Sequence, residues 1–155
     1  MRRKDREVTD FSKMIEMMKS CDCCRLGLVD GNEAYIVPMN FGYDIMNEQI
    51  VLYFHCASEG RKMDLLPRQS VVSFEMDTKH KLAEGNLGCE FSYLYQCIMG
   101  TGTLEIVSDT KEKIDGLRKI MDHYTNQTQW EFSEKVVDRT KVLKLSERTW
   151  SSKEH

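Results

Sequence analysis

The sequence predicts an antiparallel β-barrel with helical appendages, mainly β with a few helices. Three observations carry this. Several short runs rich in β-branched and aromatic residues follow one another. An Asp30-Gly31 pair, a strong short-range hairpin signal, joins the first two. The runs are not separated by regular crossover helices, which argues against a doubly wound parallel sheet and its nicotinamide site.

Taken in order, DFSKMIEMMKS (residues 10–20) places Phe11, Met14, Ile15 and Met18 at helical spacing, with Asp10 or Thr9 as N-cap. The methionine stripe reads as core packing. Runs 23–29 and 34–41 flank the Asp-Gly turn; Pro38 marks part of the second as an edge or a bulge, because it lacks an N–H to donate. Residues 49–55 complete a meander. Residues 59–66 are helix-compatible and end before Pro67. VVSFEMD (71–77) is a fourth strand, and the polar, Gly-bearing 78–88 reads as a loop. CEFSYLYQCIMGTGTLEIVSD offers one or two long strands, with Gly100 and Gly102 marking a bend. Residues 109–124 form a capped helix with Ile114, Leu117, Ile120, Met121 and Tyr124 as its apolar stripe; 130–138 give a short helix, and KVLKL (141–145) a closing strand. Gly100-x-Gly102 lacks a third glycine and leads into strand-like residues, so it is no dinucleotide fingerprint.

The 155 residues fit one domain, 1–155, able to bury its own core. A net charge of −3 leaves no basic excess for a whole-surface nucleic-acid binder. No apolar stretch approaches the roughly 20 residues that span a bilayer. The charged start MRRKDREVTD has no apolar segment behind it, so the expected location is cytoplasmic. CDCC (Cys21, Cys23, Cys24) lacks the second pair or the spaced histidines of a zinc site, so the expectation is free thiols and no metal.

The chemistry concentrates in YFHCASEGRK. A buried-looking strand ends at His55 and gives way to small residues, Gly60 and two adjacent cations, Arg61 and Lys62. Such a turn suits a phosphate, through open backbone N–H groups and charge-assisted contacts, although Glu59 is an awkward neighbour; a solvated basic turn is the competing reading.

FH-x-A-x-E-G-R-K, with P-x-N-F before it, resembles the FMN-binding split-barrel superfamily, and within it the pyridoxamine 5′-phosphate oxidase-related proteins that include nitroimidazole-resistance reductases. The resemblance covers residues 2 to about 124; the last thirty residues match it poorly. It implies a split barrel with Arg61 and Lys62 on the FMN phosphate and Gly60 allowing close approach. His55, Cys56 and Ala57 would line the flavin, and Pro38, Met39, Asn40 and Phe41 would pass along its ring. Gln96 and Cys97 fall where relatives often carry a small polar residue. It further implies a homodimer with flavin at the interface, reduced by a nicotinamide donor and oxidised by a small acceptor such as a nitroimidazole, with His55 as the candidate catalytic residue. A non-enzymatic flavin-binding or storage protein and a haem-binding split barrel are the alternatives. A true pyridoxamine phosphate oxidase needs more arginines than Arg139 and Arg148 in the tail. His80 and His123 read as surface residues, Tyr93 and Tyr95 as barrel packing or flavin neighbours, and Trp150 as a residue that reaches toward a partner's site.

Overall fold

The computed structural model describes residues 3–127 and 129–155. Its centre is an antiparallel sheet built from β1 (Glu7–Val8), β2 (Cys24–Asp30), β3 (Glu33–Met39), β4 (Phe41–Met46), β5 (Gln49–Cys56), β6 (Val71–Ala83), β7 (Ser92–Ile106) and β8 (Lys141–Glu154). The strands run in the order β3-β2-β6-β7-β8-β5-β4, with β1 added to the far part of β8. The two end strands, β3 and β4, are consecutive in the chain and meet at Asn40, so the sheet curls back on itself. This is the α+β split barrel that the sequence predicted.

β5 explains why its sequence is an unbroken apolar run. Ile50, Leu52 and Phe54 face the main core, while Val51 and Tyr53 face a second cluster with Val107, Ile120 and Val142. Successive side chains alternate faces, and both faces of this strand are covered. The inner cover includes α1 (Phe11–Lys19), whose buried Met14, Ile15, Met17 and Met18 join Leu26, Phe41, Met76 and Leu145; the Asp10 carboxylate caps it by accepting from the Lys13 N–H at 2.7 Å. The outer cover is α3 (Thr110–Tyr124), capped in the same way by Asp109. It lies so close to β4 that a Cβ on Gly42 would sit 2.3 Å from the backbone of Lys119 and Ile120. Of the shorter helices, α2 is Arg61–Leu65 and α4 is Glu134–Arg139; buried Lys113 of α3 donates to the Val137 carbonyl of α4.

Four sequence expectations change. Residues 34–41 do not form one strand of a meander: the run breaks at Asn40, and its halves pair with different neighbours, β2 and β5. Pro38 does sit on an edge strand. A further hairpin joins β4 to β5 through Asn47 and Glu48, both at positive φ (52° and 63°), without the glycine that would announce it. The polar stretch 78–88 is largely strand: β6 continues to Ala83 past a bulge between Thr78 and Lys81, where Lys79 takes φ 57°. The closing strand runs on to Glu154, because its distant half pairs with β7 and β1.

Candidate functional site

The strand β5 delivers His55 and Cys56 at its end, where they pair with Val142 and Lys141. His55 is exposed, and desolvation followed by the nearby Lys62 charge lowers its pKa, so its imidazole is neutral at neutral pH. Cys56 Sγ lies 3.7 Å from Met63 Sδ, and burial raises its thiol pKa. Ala57 through Gly60 are exposed. Gly60 holds φ 122°, a conformation that side chains disfavour, with no atom within 4 Å of where a Cβ would be. Its carbonyl accepts from the Met63 and Asp64 N–H groups at 2.8 and 3.2 Å, which starts α2.

The two cations of α2 behave differently. Arg61 reaches back to the β2–β3 hairpin, placing Nε and Nη2 each 2.7 Å from Asp30 Oδ2, with Glu33 3.6 Å away and the Tyr35 ring beneath at 4.7 Å. Lys62 makes no ion pair among the described residues; its Nζ lies 3.0 Å from Met39 Sδ. That contact joins the turn to the β3–β4 corner, so Pro38–Phe41 and His55–Lys62 form one continuous region. Within the corner, Pro38 and Asn40 are exposed, whereas Met39 and Phe41 are buried. Phe41 therefore presents core, and its N–H donates to Tyr124 Oη at 3.2 Å.

Gln96 and Cys97 are not brought to this region within one chain. Cys97 pairs with Lys153 on β8 and His55 with Val142, eleven residues apart, or roughly 36 Å along the strand. Gln96 donates to Glu154 at 3.2 Å, while Cys97 lies 3.6 Å from Glu75 and burial raises its pKa to about 12.

Sequence reading missed the residues that hold the site. Asp30 reads from sequence only as a turn residue, and nothing local announces that the hairpin folds over Arg61. His123 is half-buried rather than a free surface residue: its ring packs 4.3 Å from Phe41 and its Nε2 lies 2.8 Å from the Cys21 carbonyl. Tyr124 donates to the Asp22 carbonyl at 2.8 Å, so the end of α3 pins the corner on both sides. His80 is exposed, 2.9 Å from Asp77 and stacked on Tyr93. Cys21 and Cys24 are buried free thiols with raised pKa values, that of Cys21 to about 12. Trp150 is edge-on to Phe11 and lines a groove of about 550 Å³ with Ile36, Phe74 and Met99.

No helix among the described residues is long and apolar enough to cross a membrane. Residues 12–153 match the family model described as pyridoxamine 5′-phosphate oxidase, so the similarity extends well beyond residue 124. A candidate 5-nitroimidazole antibiotic resistance protein from Bacteroides thetaiotaomicron is 31% identical, with a TM-score of 0.83 over 96% of this chain and 86% of that one. A flavocytochrome from Azotobacter vinelandii (19% identity, TM-score 0.81, 100% of this chain and 72% of that one) shares the fold. So does an FAD and haem binding protein from Mycobacterium smegmatis (16% identity, TM-score 0.81, 96% and 72%). No curated protein sequence matches the chain.

Proposed function

The chain belongs to the pyridoxamine 5′-phosphate oxidase family, and on that premise we propose that it is an FMN-binding oxidoreductase. In this reading it passes electrons from a reduced nicotinamide to a small acceptor, with a nitroaromatic as the leading candidate. The single observation that carries the reading is the Gly60–Lys62 turn, where an ammonium with no carboxylate partner among the described residues stands beside open backbone and an exposed, neutral imidazole.

The residues present fit a flavin phosphate and one edge of its ring. Lys62 supplies the charge, and the unfilled space over Gly60 admits close approach of an anion to the backbone. The exposed Pro38 and Asn40 offer a rigid rim, fixed from behind by Tyr124. Bound there, FMN supplies the hydride and electron chemistry. The protein's part is to orient, to desolvate and to manage one proton: neutral His55 accepts or donates at a ring nitrogen near neutral pH. Gln96 and Cys97, remote from this turn in one chain, meet the flavin from a second copy, which makes the working unit a homodimer.

The test is the visible spectrum of the purified protein, followed by identification of any released chromophore and by anaerobic addition of NADH and NADPH. A flavin spectrum with FMN released, bleached by a nicotinamide, is the expected result. Tight FMN binding without bleaching assigns a storage role instead. A Soret band moves the assignment to haem, and a colourless protein that takes up no added FMN overturns the proposal.

A further inference from the structure

Arg61 is by chemistry the better phosphate ligand of the pair and by geometry the less available. A guanidinium grips a phosphate best through two parallel N–H donors on one edge. In this chain the Nε–Nη2 edge already faces Asp30 Oδ2, both nitrogens at 2.7 Å, and Nη2 is also the nitrogen nearest Glu33. One face of the same group rests on Tyr35. All three partners come from the β2–β3 hairpin, outside the motif that supplies the cations. A phosphate dianion cannot occupy that edge alongside the carboxylate, since both are acceptors and both are negative.

We infer that Asp30 is a specificity-determining residue of the site, competing with the cofactor phosphate for the Arg61 fork and so limiting how strongly the chain prefers FMN over unphosphorylated riboflavin. The inference rests on the flavin reading and deepens it. Solvent reaches the pair, with half of the Arg61 side chain and 31% of the Asp30 side chain exposed. Exposed ion pairs are weak, so the contact is one that a phosphate can displace rather than a fixed structural bond. Glu33 is 79% exposed and further away, and it contributes less. In this arrangement Lys62 carries most of the recognition of phosphate, and Arg61 adds to it only when it leaves the hairpin.

The experiment measures dissociation constants of FMN and of riboflavin, by quenching of flavin fluorescence, for the natural chain, Asp30→Asn, Arg61→Ala and the double variant. Asparagine before Gly31 keeps the turn chemistry, so Asp30→Asn retains the hairpin. Its thermal midpoint checks this. The expected result is FMN affinity about two- to fivefold tighter in Asp30→Asn, the scale of one exposed ion pair, with riboflavin affinity unchanged. The gain disappears when Arg61 is also alanine. Unchanged or weaker FMN binding in Asp30→Asn overturns the inference, as does a gain shared by riboflavin or one that survives Arg61→Ala. Failure of the natural chain to take up either flavin overturns the cofactor reading itself, and is thereby told apart from a failure confined to Asp30.

Discussion

Arg61 and Lys62 are neighbours of equal charge, yet the hairpin engages only one of them, and their contributions to cofactor binding should differ accordingly. Lys62→Ala should weaken FMN binding roughly tenfold to a hundredfold, the range for one hydrogen bond to a charged group, and Arg61→Ala should weaken it clearly less. Titration of both variants with FMN checks the order. His55 is a different case: it is exposed and neutral, and it lies at the end of the strand rather than in the turn. His55→Ala should keep FMN while turnover with a nicotinamide falls about a hundredfold, the lower range for a positioned acid or base. Full turnover in that variant would remove it from the chemistry. Glu147, on β8, carries a burial strain of its own: the Ile50 N–H helps to hold its carboxylate, but Oε2 is buried without a partner, and desolvation raises its pKa. The folded state therefore binds this proton more tightly than the unfolded state does. The stability this gives is complete below the unfolded pKa and is lost as pH rises through the folded one. Glu147→Gln should accordingly raise the thermal midpoint at about pH 7 and leave it nearly unchanged at about pH 3, where the natural carboxyl is already neutral.

At the level of elements, what could be read in the sequence followed from how local each cause is. α1 and α3 were legible because an Asp cap and an apolar stripe are both contained in their own residues. The β2–β3 hairpin was legible because Gly31 announces it, and the Gly60-Arg61-Lys62 turn because its chemistry is contiguous. The β4–β5 hairpin was not, because it puts Asn47 and Glu48 in the left-handed region without a glycine; nor was the second half of β6, whose polar residues are held as strand by β7. The same non-locality hid the roles of Asp30 and Tyr124, which reach the site from distant parts of the chain, β2 and the end of α3. The turn offers a direct check. Glu48 at φ 63° bears a steric cost that glycine avoids, so Glu48→Gly should stabilise the chain by about 0.5–1 kcal/mol in urea unfolding, net of glycine's greater loss of backbone freedom.

For the whole molecule, the proposed flavin site draws on residues that one chain keeps apart. The sheet order separates them: β7 and β5 are kept apart by β8, and Gln96 and His55 sit at opposite ends of that strand's pairing. Further along β7, the groove lined by Met99 and Trp150 carries Ile36 at 57% and Met99 at 38% exposure, an apolar surface suited to the proposed second copy. A twofold arrangement would place the turn of one chain against the β7 surface of the other, giving two equal sites per dimer. Two variants broken on opposite sides of the site test this directly. Lys62→Ala removes the phosphate cation, and Gln96→Trp fills the β7 side with an indole. At an FMN concentration well below the dissociation constant of Lys62→Ala but above that of the natural chain, each alone should be largely empty. Co-expressed in equal amounts, they should regain it at about a quarter of all sites, because half of the dimers are mixed and each mixed dimer assembles one intact site. Flavin content per chain, measured after separation from free FMN, reads the fraction. No recovery on mixing, or flavin retained by Gln96→Trp alone, would place the whole site within one chain and leave β7 outside it.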